Sequence, residues 1–147
     1  MSTVIVAGGA GYIGSHTIRE LQNGGFEPIV LDNLVYGHRE IVEDVLGVPL
    51  IIGQVGDKHL LAKLLSGEHP STRDKDIKGI MQFAAYAYVG ESIIDPAKYY
   101  KNNLVETIML LEALIEDSKK KNSKPIPIVF SSSCATYGIP LETEIPI

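Results

Sequence analysis

The chain has only one cysteine, Cys134, in its 147 residues, which excludes an internal disulfide framework and suits a reducing compartment. It also lacks an excess of positive charge. Thirteen Lys and Arg stand against eighteen Asp and Glu, a net charge of −5 with the two signs interspersed. That balance argues against nucleic acid as the main partner, and an anionic ligand would have to be held by local dipoles rather than by the overall field. The one basic cluster, Lys119, Lys120, Lys121 and Lys124, falls where a helix should end and reads as cations at its negative pole. No apolar run reaches membrane-spanning length, and the first residues lead straight into a strand rather than a signal peptide. A cytoplasmic protein with no membrane partner is expected. Metal-type residues do not gather at ligand spacing, so no metal is expected, and His69 reads as an exposed histidine in the polar loop from Glu68 to Asp74. Repeats, low-complexity tracts and linkers are absent, and the length is near that of an average domain. Residues 1–147 are therefore expected to form one domain.

What is present is concentrated first in Val4 to Ser15, VIVAGGAGYIGS. Val4, Ile5 and Val6 make a β-branched run of the kind buried on both faces of a parallel sheet, and Ile13, Thr17, Ile18 and Leu21 recur at helical spacing. Between them, Gly8, Gly11 and Gly14 fit G-x-x-G-x-x-G, and Gly9, Gly11 and Gly14 also fit G-x-G-x-x-G. Glycines so placed let the chain turn tightly, let a diphosphate approach the main chain and let helix pack close on strand, with the first helical N–H groups aimed at the anion. A glycine turn serving packing alone is the alternative. The next strand, Pro28 to Leu31, ends in Asp32, about 20 residues on, where the dinucleotide fingerprint wants an acid. A carboxylate there accepts from ribose hydroxyls and repels a 2′-phosphate, so the expected cofactor is NAD rather than NADP. A turn-forming Asp32-Asn33 pair is the plainer reading of the same residues.

Along the rest of the chain, Gly24-Gly25 should stop the first helix, and Asn33 to His38 forms a loop at the carboxyl end of the second strand. Arg39 to Leu46 is predicted as a modest helix, Val48 to Ile52 as the third strand, and Leu60, Leu61, Leu64 and Leu65 as the buried stripe of the next helix. A fourth strand, Ile77 to Phe83, runs into the small residues Ala84 and Ala85, which leave room for a flat ring against the backbone. Asp95 and Pro96 read as N-cap and first residue of a long helix, roughly Ala97 to Asn122, with Leu104, Ile108, Leu111 and Ile115 on one face. Pro125 to Phe130 is the fifth strand. Right-handed crossovers then give a doubly wound α/β parallel sheet of Rossmann type in the order 3-2-1-4-5, ending after its fifth strand. Both faces of that strand are apolar, and only the tail Ile139 to Ile147 remains to cover it, so self-association is expected.

The segments GGAGYIGSH, LDNL, FAAYAYVGES, YYKNN and FSSSCATYG occur in this order. Together they resemble the extended short-chain dehydrogenase/reductase superfamily, and within it the UDP-glucose 4-epimerases. The resemblance implies a bound NAD that takes hydride from carbon 4 of a UDP-sugar and returns it to the opposite face after the keto sugar has rotated. It implies further that Gly8, Gly11, Tyr12, Ile13 and Gly14 face the diphosphate and that Asp32 and Asn33 face the adenosine ribose. Gln54 and Val55 would meet adenine, Phe83, Ala84 and Ala85 the middle of the cofactor, and Asn102 the nicotinamide side, with Ser131 joining the cofactor set. Ser133 would hydrogen-bond the sugar hydroxyl. A homodimer, in which the long helix takes part, is implied as well. Ser133 could otherwise be a loop hydroxyl closing the strand, and Asn102 an ordinary polar residue of the helix.

Several positions depart from that pattern. The Y-x-x-x-K pair of the family belongs some twenty residues beyond Ser133, outside these 147 residues, and Tyr137 is followed by no such lysine. The chain therefore reads as an incomplete NAD-binding domain without the C-terminal substrate domain, inactive alone. Ala87 stands where some members place a phosphate-facing lysine. Gln54 stands where an aspartate usually receives the adenine amine, with Asp57 as the fallback. Glu106 replaces a usual glycine, at a cost unless its charge reaches water. A nucleotide-binding module without chemistry, an inactive remnant and part of a nucleotide-sugar 4,6-dehydratase remain the alternatives.

Overall fold

The computed structural model of the chain describes residues 1–145, with the side chains of Cys134, Ala135 and Glu144 left out of the description. Five parallel strands, β1 (Ser2–Ala7), β2 (Glu27–Asp32), β3 (Leu50–Ile52), β4 (Asp76–Gln82) and β5 (Ile128–Phe130), form one sheet in the order β3-β2-β1-β4-β5. The expected order holds. Helix α1 (Tyr12–Asn23) crosses from β1 to β2, α2 (Lys58–Ser66) from β3 to β4, and α3 (Val89–Ile94), α4 (Pro96–Tyr99) and α5 (Glu106–Lys121) lie between β4 and β5.

Alternation within the strands builds a core on each side of the sheet. Ile5, Ala7, Ile29, Leu31 and Ile80 point to one face, where Leu61, Leu64 and Leu65 of α2 and Leu110, Ala113 and Leu114 of α5 cover them. Val4, Val6 and Val30 point to the other, beneath Ile18 of α1 and beside Val42 and Val48. β1 is thus apolar at successive positions because it is buried twice over. Ile13, expected on the buried stripe of α1, is 57% exposed instead, since it sits in the first turn beyond the sheet edge.

Several boundaries differ from the expected ones for identifiable reasons. β3 and β5 are three residues each. Pro49 and Pro127 lack the N–H that would lengthen the ladder, although their carbonyls still accept from Val30 (2.9 Å) and Ile80 (3.0 Å). The segment 39–46 does coil, as a π-helical turn over Ile41–Val45. The long helix is broken into α4, a π-helical turn at Tyr100–Val105, and α5. Its Asp95 cap accepts from the Lys98 N–H at 3.2 Å as expected, and the helix ends near the expected place, at Asn122, which adopts the left-handed conformation at φ 50°. The stripe Leu104, Ile108, Leu111 and Ile115 faces outward, at 40–53% exposure, because Leu110, Ala113 and Leu114 occupy the contact with the sheet and α2. Val129 and Phe130 of β5 are each 56% exposed. The tail leaves them uncovered as far as it is described: Ile139 is 99% and Ile145 63% exposed, and Pro146 and Ile147 lie outside the described residues. Among the described residues no helix is long and apolar enough to cross a membrane.

Candidate functional site

At the carboxyl edge of the sheet, where β1 and β4 diverge into their loops, Gly8, Gly11, Asp32, Asn33, Gln54, Val55, Phe83, Ala84, Ala85 and Asn102 line one open groove. The turn after β1 makes its floor. Gly8, at φ 77°, lies so close to the next strand's exit that a Cβ would stand 2.5 Å from the Ala84 nitrogen and 2.7 Å from the Phe83 carbonyl carbon. Gly14 is buried beneath the turn, where a Cβ would come within 2.3 Å of the Gly8 oxygen and 2.7 Å of the Gly9 Cα. These contacts bring α1 down onto the turn, with Gly11, the residue before the helix, in the groove lining. Gly11 offers the first N–H groups of α1 no side-chain cap, unlike Asp57 before α2, which accepts from the N–H groups of His59 and Leu60 at 3.0 Å each. An uncapped N-terminus facing a groove is where an anion gains most from backbone donors and the helix dipole.

Asp32 closes one end. Its buried carboxylate accepts from the Ala10 N–H (3.0 Å) and the Leu34 N–H (2.8 Å), which fixes it to the glycine turn and leaves its remaining lone pairs toward the groove. Beside it, the Asn33 amide donates to Gln54 Oε1 at 3.1 Å. Gln54, not Asp57, therefore belongs to the groove, since the carboxylate of Asp57 is spent on its helix. Glu106 is neither unpaired nor fully solvated: its carboxylate accepts from the Gly56 N–H at 2.8 Å, a charge-assisted bond that offsets part of its burial.

The far end is built by the π-helical turn. Asn103 accepts from the Tyr86 N–H (2.8 Å) and donates to the Tyr86 carbonyl (2.9 Å), pinning the segment after β4, while neighbouring Asn102 reaches the groove. Buried Gln82 holds the same segment through Ala84 (3.3 and 3.4 Å) and Thr107 (3.3 Å). Of the other expected site residues, Tyr12 and Ile13 stand exposed at the start of α1, outside the groove lining. Ser131 continues β5 by donating its N–H to the Gln82 carbonyl at 3.1 Å. Ser133 is exposed two residues farther along, on the same edge of the sheet but outside the lining, with its carbonyl accepting from the Thr136 N–H at 3.1 Å.

Tyr36, Gly37 and Tyr86 line the groove without having been singled out from the sequence. Their signal was positional only, since all three lie in loops that leave strand ends on the ligand-binding edge. Around them the charges are perturbed. The Glu91 carboxyl is held down at about 2 by the bond from the Lys98 ammonium and then by the Tyr99 and Tyr36 hydroxyls. The Tyr99 hydroxyl is pushed up to about 12 by burial and by Glu91, and Glu91 raises Lys98 above the ordinary lysine range. Among the described residues no group of three or more metal-type side chains gathers.

Residues 4–147 match the NAD dependent epimerase/dehydratase family. The UDP-glucose 4-epimerase of Lacticaseibacillus casei is 43% identical over 143 residues, which cover 97% of this chain and 39% of that protein. That of Lactobacillus helveticus is 44% identical over 142 residues, covering 97% and 38%. The chain thus spans about two fifths of the length of the curated relatives it matches. Among solved structures, the UDP-glucose 4-epimerase from Brucella ovis in complex with NAD superposes with a TM-score of 0.76 at 39% identity, over 96% of this chain and 38% of that one. The enzyme from Bifidobacterium longum in complex with NAD+ and UDP gives a TM-score of 0.76 at 38% identity, over 99% and 41%.

Proposed function

Since the chain belongs to the NAD dependent epimerase/dehydratase family, we propose that it binds NAD in the groove and forms the cofactor-binding part of a UDP-glucose 4-epimerase. The observation that carries the reading is the pairing, in one groove, of an uncapped helix N-terminus at Gly11 with the buried Asp32 carboxylate. The first suits a diphosphate and the second a ribose diol, and a 2′-phosphate would meet the Asp32 charge. Gln54, held by Asn33, presents an amide to adenine in place of a carboxylate. Phe83, Ala84 and Ala85 leave space for the middle of the cofactor, and Asn102 marks the nicotinamide end. When bound, NAD supplies hydride acceptance at carbon 4 of the sugar and its return.

Within this chain, Ser133 is assigned the hydrogen bond to the sugar hydroxyl on the strength of its motif, from the same sheet edge but outside the groove lining. Tyr12, Ile13, Gly14 and Ser131 support the cofactor from outside the groove lining. The tyrosine that would take the hydroxyl proton, and the lysine that would lower that tyrosine's pKa, have no counterpart in these 147 residues. General-base help of that kind is worth about 10² to 10⁴ in rate, so the chain alone is inactive toward a UDP-sugar. The outward stripe Leu104, Ile108, Leu111 and Ile115 favours a homodimer. Its single cysteine is in keeping with the cytoplasm.

Titration with both cofactors tests the reading: NAD⁺ binds more tightly than NADP⁺, and equal or tighter NADP⁺ binding overturns it. Turnover of a UDP-hexose by the purified chain would refute the assignment of the base to residues outside it.

A further inference from the structure

Along the carboxyl edge of the sheet, three strand exits stand in a row. The glycine turn after β1 lies beside Asp32 at the end of β2, and the next strand out is β3, whose exit is held there by the Gly53 N–H donating to the Asp32 carbonyl at 3.0 Å. Gln54 follows at once and lines the groove together with Asn33. A nucleotide carries its base and its phosphate at opposite ends of the ribose. With the diphosphate at the glycine turn and the ribose on Asp32, the base therefore lies outward, at Gln54. What Gln54 offers that base is set by its neighbour. A backbone N–H can only donate, and the Val35 N–H donates to Asn33 Oδ1 at 3.0 Å, an Asx turn that commits the Asn33 oxygen. Asn33 is left to donate through Nδ2, and it does so to Gln54 Oε1 at 3.1 Å. A side-chain amide has one oxygen and one NH₂, so with its oxygen turned to Asn33, Gln54 has Nε2 left for the base. Among the described residues no acceptor meets that Nε2.

We propose that Asn33 and Gln54 form a polarity relay that makes the base end of the groove a hydrogen-bond donor, so that Gln54 favours a 6-oxo group on a purine over the 6-amine of adenine. The inference rests on the NAD-binding reading above, with the ribose at Asp32 and the 6-position of the base at Gln54. The adenine amine is itself a donor and meets Nε2 with like polarity. Gln54 can turn its oxygen to that amine only by giving up the Asn33 bond, and a hydrogen bond between neutral groups is worth about two- to tenfold in an equilibrium. Hypoxanthine, with an oxygen in place of the amine, accepts from Nε2 with no rearrangement. A carboxylate at the same position would reverse the preference, since it can only accept. The orientation of one amide, set by a backbone N–H two side chains away, thus decides which base the site prefers.

Calorimetric titration of the chain with NAD⁺ and with nicotinamide hypoxanthine dinucleotide, its 6-oxo counterpart, gives the ratio of the two Kd values. Compared between parent and variant, that ratio is free of whatever else the two bases do in the site. In Asn33→Asp the new carboxylate keeps the bond from the Val35 N–H and takes Gln54 Nε2 as its second donor. The Gln54 oxygen then turns to the base, and the ratio moves toward NAD⁺ by about three- to tenfold. The added charge beside Asp32 weakens both ligands alike. Asn33→Ala, without that charge, frees the amide to turn and moves the ratio the same way by about two- to fivefold. Gln54→Glu moves it toward NAD⁺ by about tenfold or more. A ratio that moves in Gln54→Glu but in neither Asn33 variant shows Gln54 reading the base without the relay, and overturns the inference while NAD⁺ binding stands. A ratio unchanged in all three variants overturns it as well, because Gln54 is then away from the 6-position. If neither dinucleotide binds the parent, the NAD-binding reading itself fails and the relay falls with it.

Discussion

Adding a single methyl group at Gly8 should do more damage than the same change three residues later, and the contrast tests how the glycine turn works. In Gly8→Ala the new Cβ would sit 2.5, 2.7 and 2.8 Å from the Ala84 nitrogen, the Phe83 carbonyl carbon and the Ala84 Cα, all main-chain atoms of the segment leaving β4. Nothing flexible lies there to move aside. Relief requires β1 and β4 to separate at their carboxyl ends, where Phe83 N–H donates to the Ala7 carbonyl at 2.8 Å. Overpacking of this kind costs about 1–3 kcal/mol, and the left-handed φ of 77° adds about 1–2 kcal/mol for a residue with a Cβ. The sum, about 2–5 kcal/mol, is a large part of the roughly 5–15 kcal/mol that holds a domain together. In Gly11→Ala the Cβ meets only the Gly8 oxygen, at 3.4 Å, with φ at −85°, so the loss should stay within about 1 kcal/mol. Urea unfolding followed by circular dichroism measures both. A Gly8→Ala chain within 1 kcal/mol of the parent, or a Gly11→Ala chain as unstable as Gly8→Ala, would refute the close-approach account of the turn.

Extending the side chain further, in Gly11→Leu, fills the groove at the helix N-terminus, so NAD⁺ binding should be lost while the circular dichroism spectrum is kept; retained binding would make the turn purely structural. Leu110→Ala removes a side chain only 1% exposed between α5 and the sheet and should cost about 2–5 kcal/mol by urea midpoint. The folded pKa of Glu91 is depressed from 4.5 to about 2, so its contribution to stability is complete above pH 4.5 and is lost as pH falls toward 2. A carboxyl ¹³C titration should place its midpoint near 2, and a midpoint near 4 would mean that the bonds from Lys98, Tyr99 and Tyr36 to Glu91 do not form in solution. The paired change Ile108→Glu and Leu111→Glu, on the outward stripe of α5, should leave the unfolding midpoint nearly unchanged and shift light scattering from dimer or aggregate to monomer; a monomeric parent would remove the case for association.

Residues near one another in the chain settled much of this protein before any tertiary contact was known. Strand, glycine turn and helix follow within Ser2 to Asn23, and Asp32 ends the very next strand, so the fingerprint was legible as a local pattern; the sheet order followed from crossover handedness, and Asn33, Gln54, Val55, Phe83 and Asn102 were expected in the groove only through the resemblance. The Asp95 helix start was legible for the same reason as the fingerprint: capping is a property of a few consecutive residues. Other features depend on partners far away in sequence. Two apolar stripes run along α5, and only packing against α2 and the sheet decided that Leu110 and Leu114 go inside while Ile108 and Leu111 face out. Glu106 looked costly until its carboxylate met the Gly56 N–H, fifty residues away. Asp57 stood as the fallback to Gln54 until Gln54 took its place beside Asn33 and Asp57 capped α2. Tyr36 and Glu91 are fifty-five residues apart, and although Glu91 lies in the FAAYAYVGES segment, nothing in the sequence pairs it with Tyr36. A hydrogen bond between such groups leaves no periodicity in the sequence, because it exists only once the sheet has brought the two loops to the same edge.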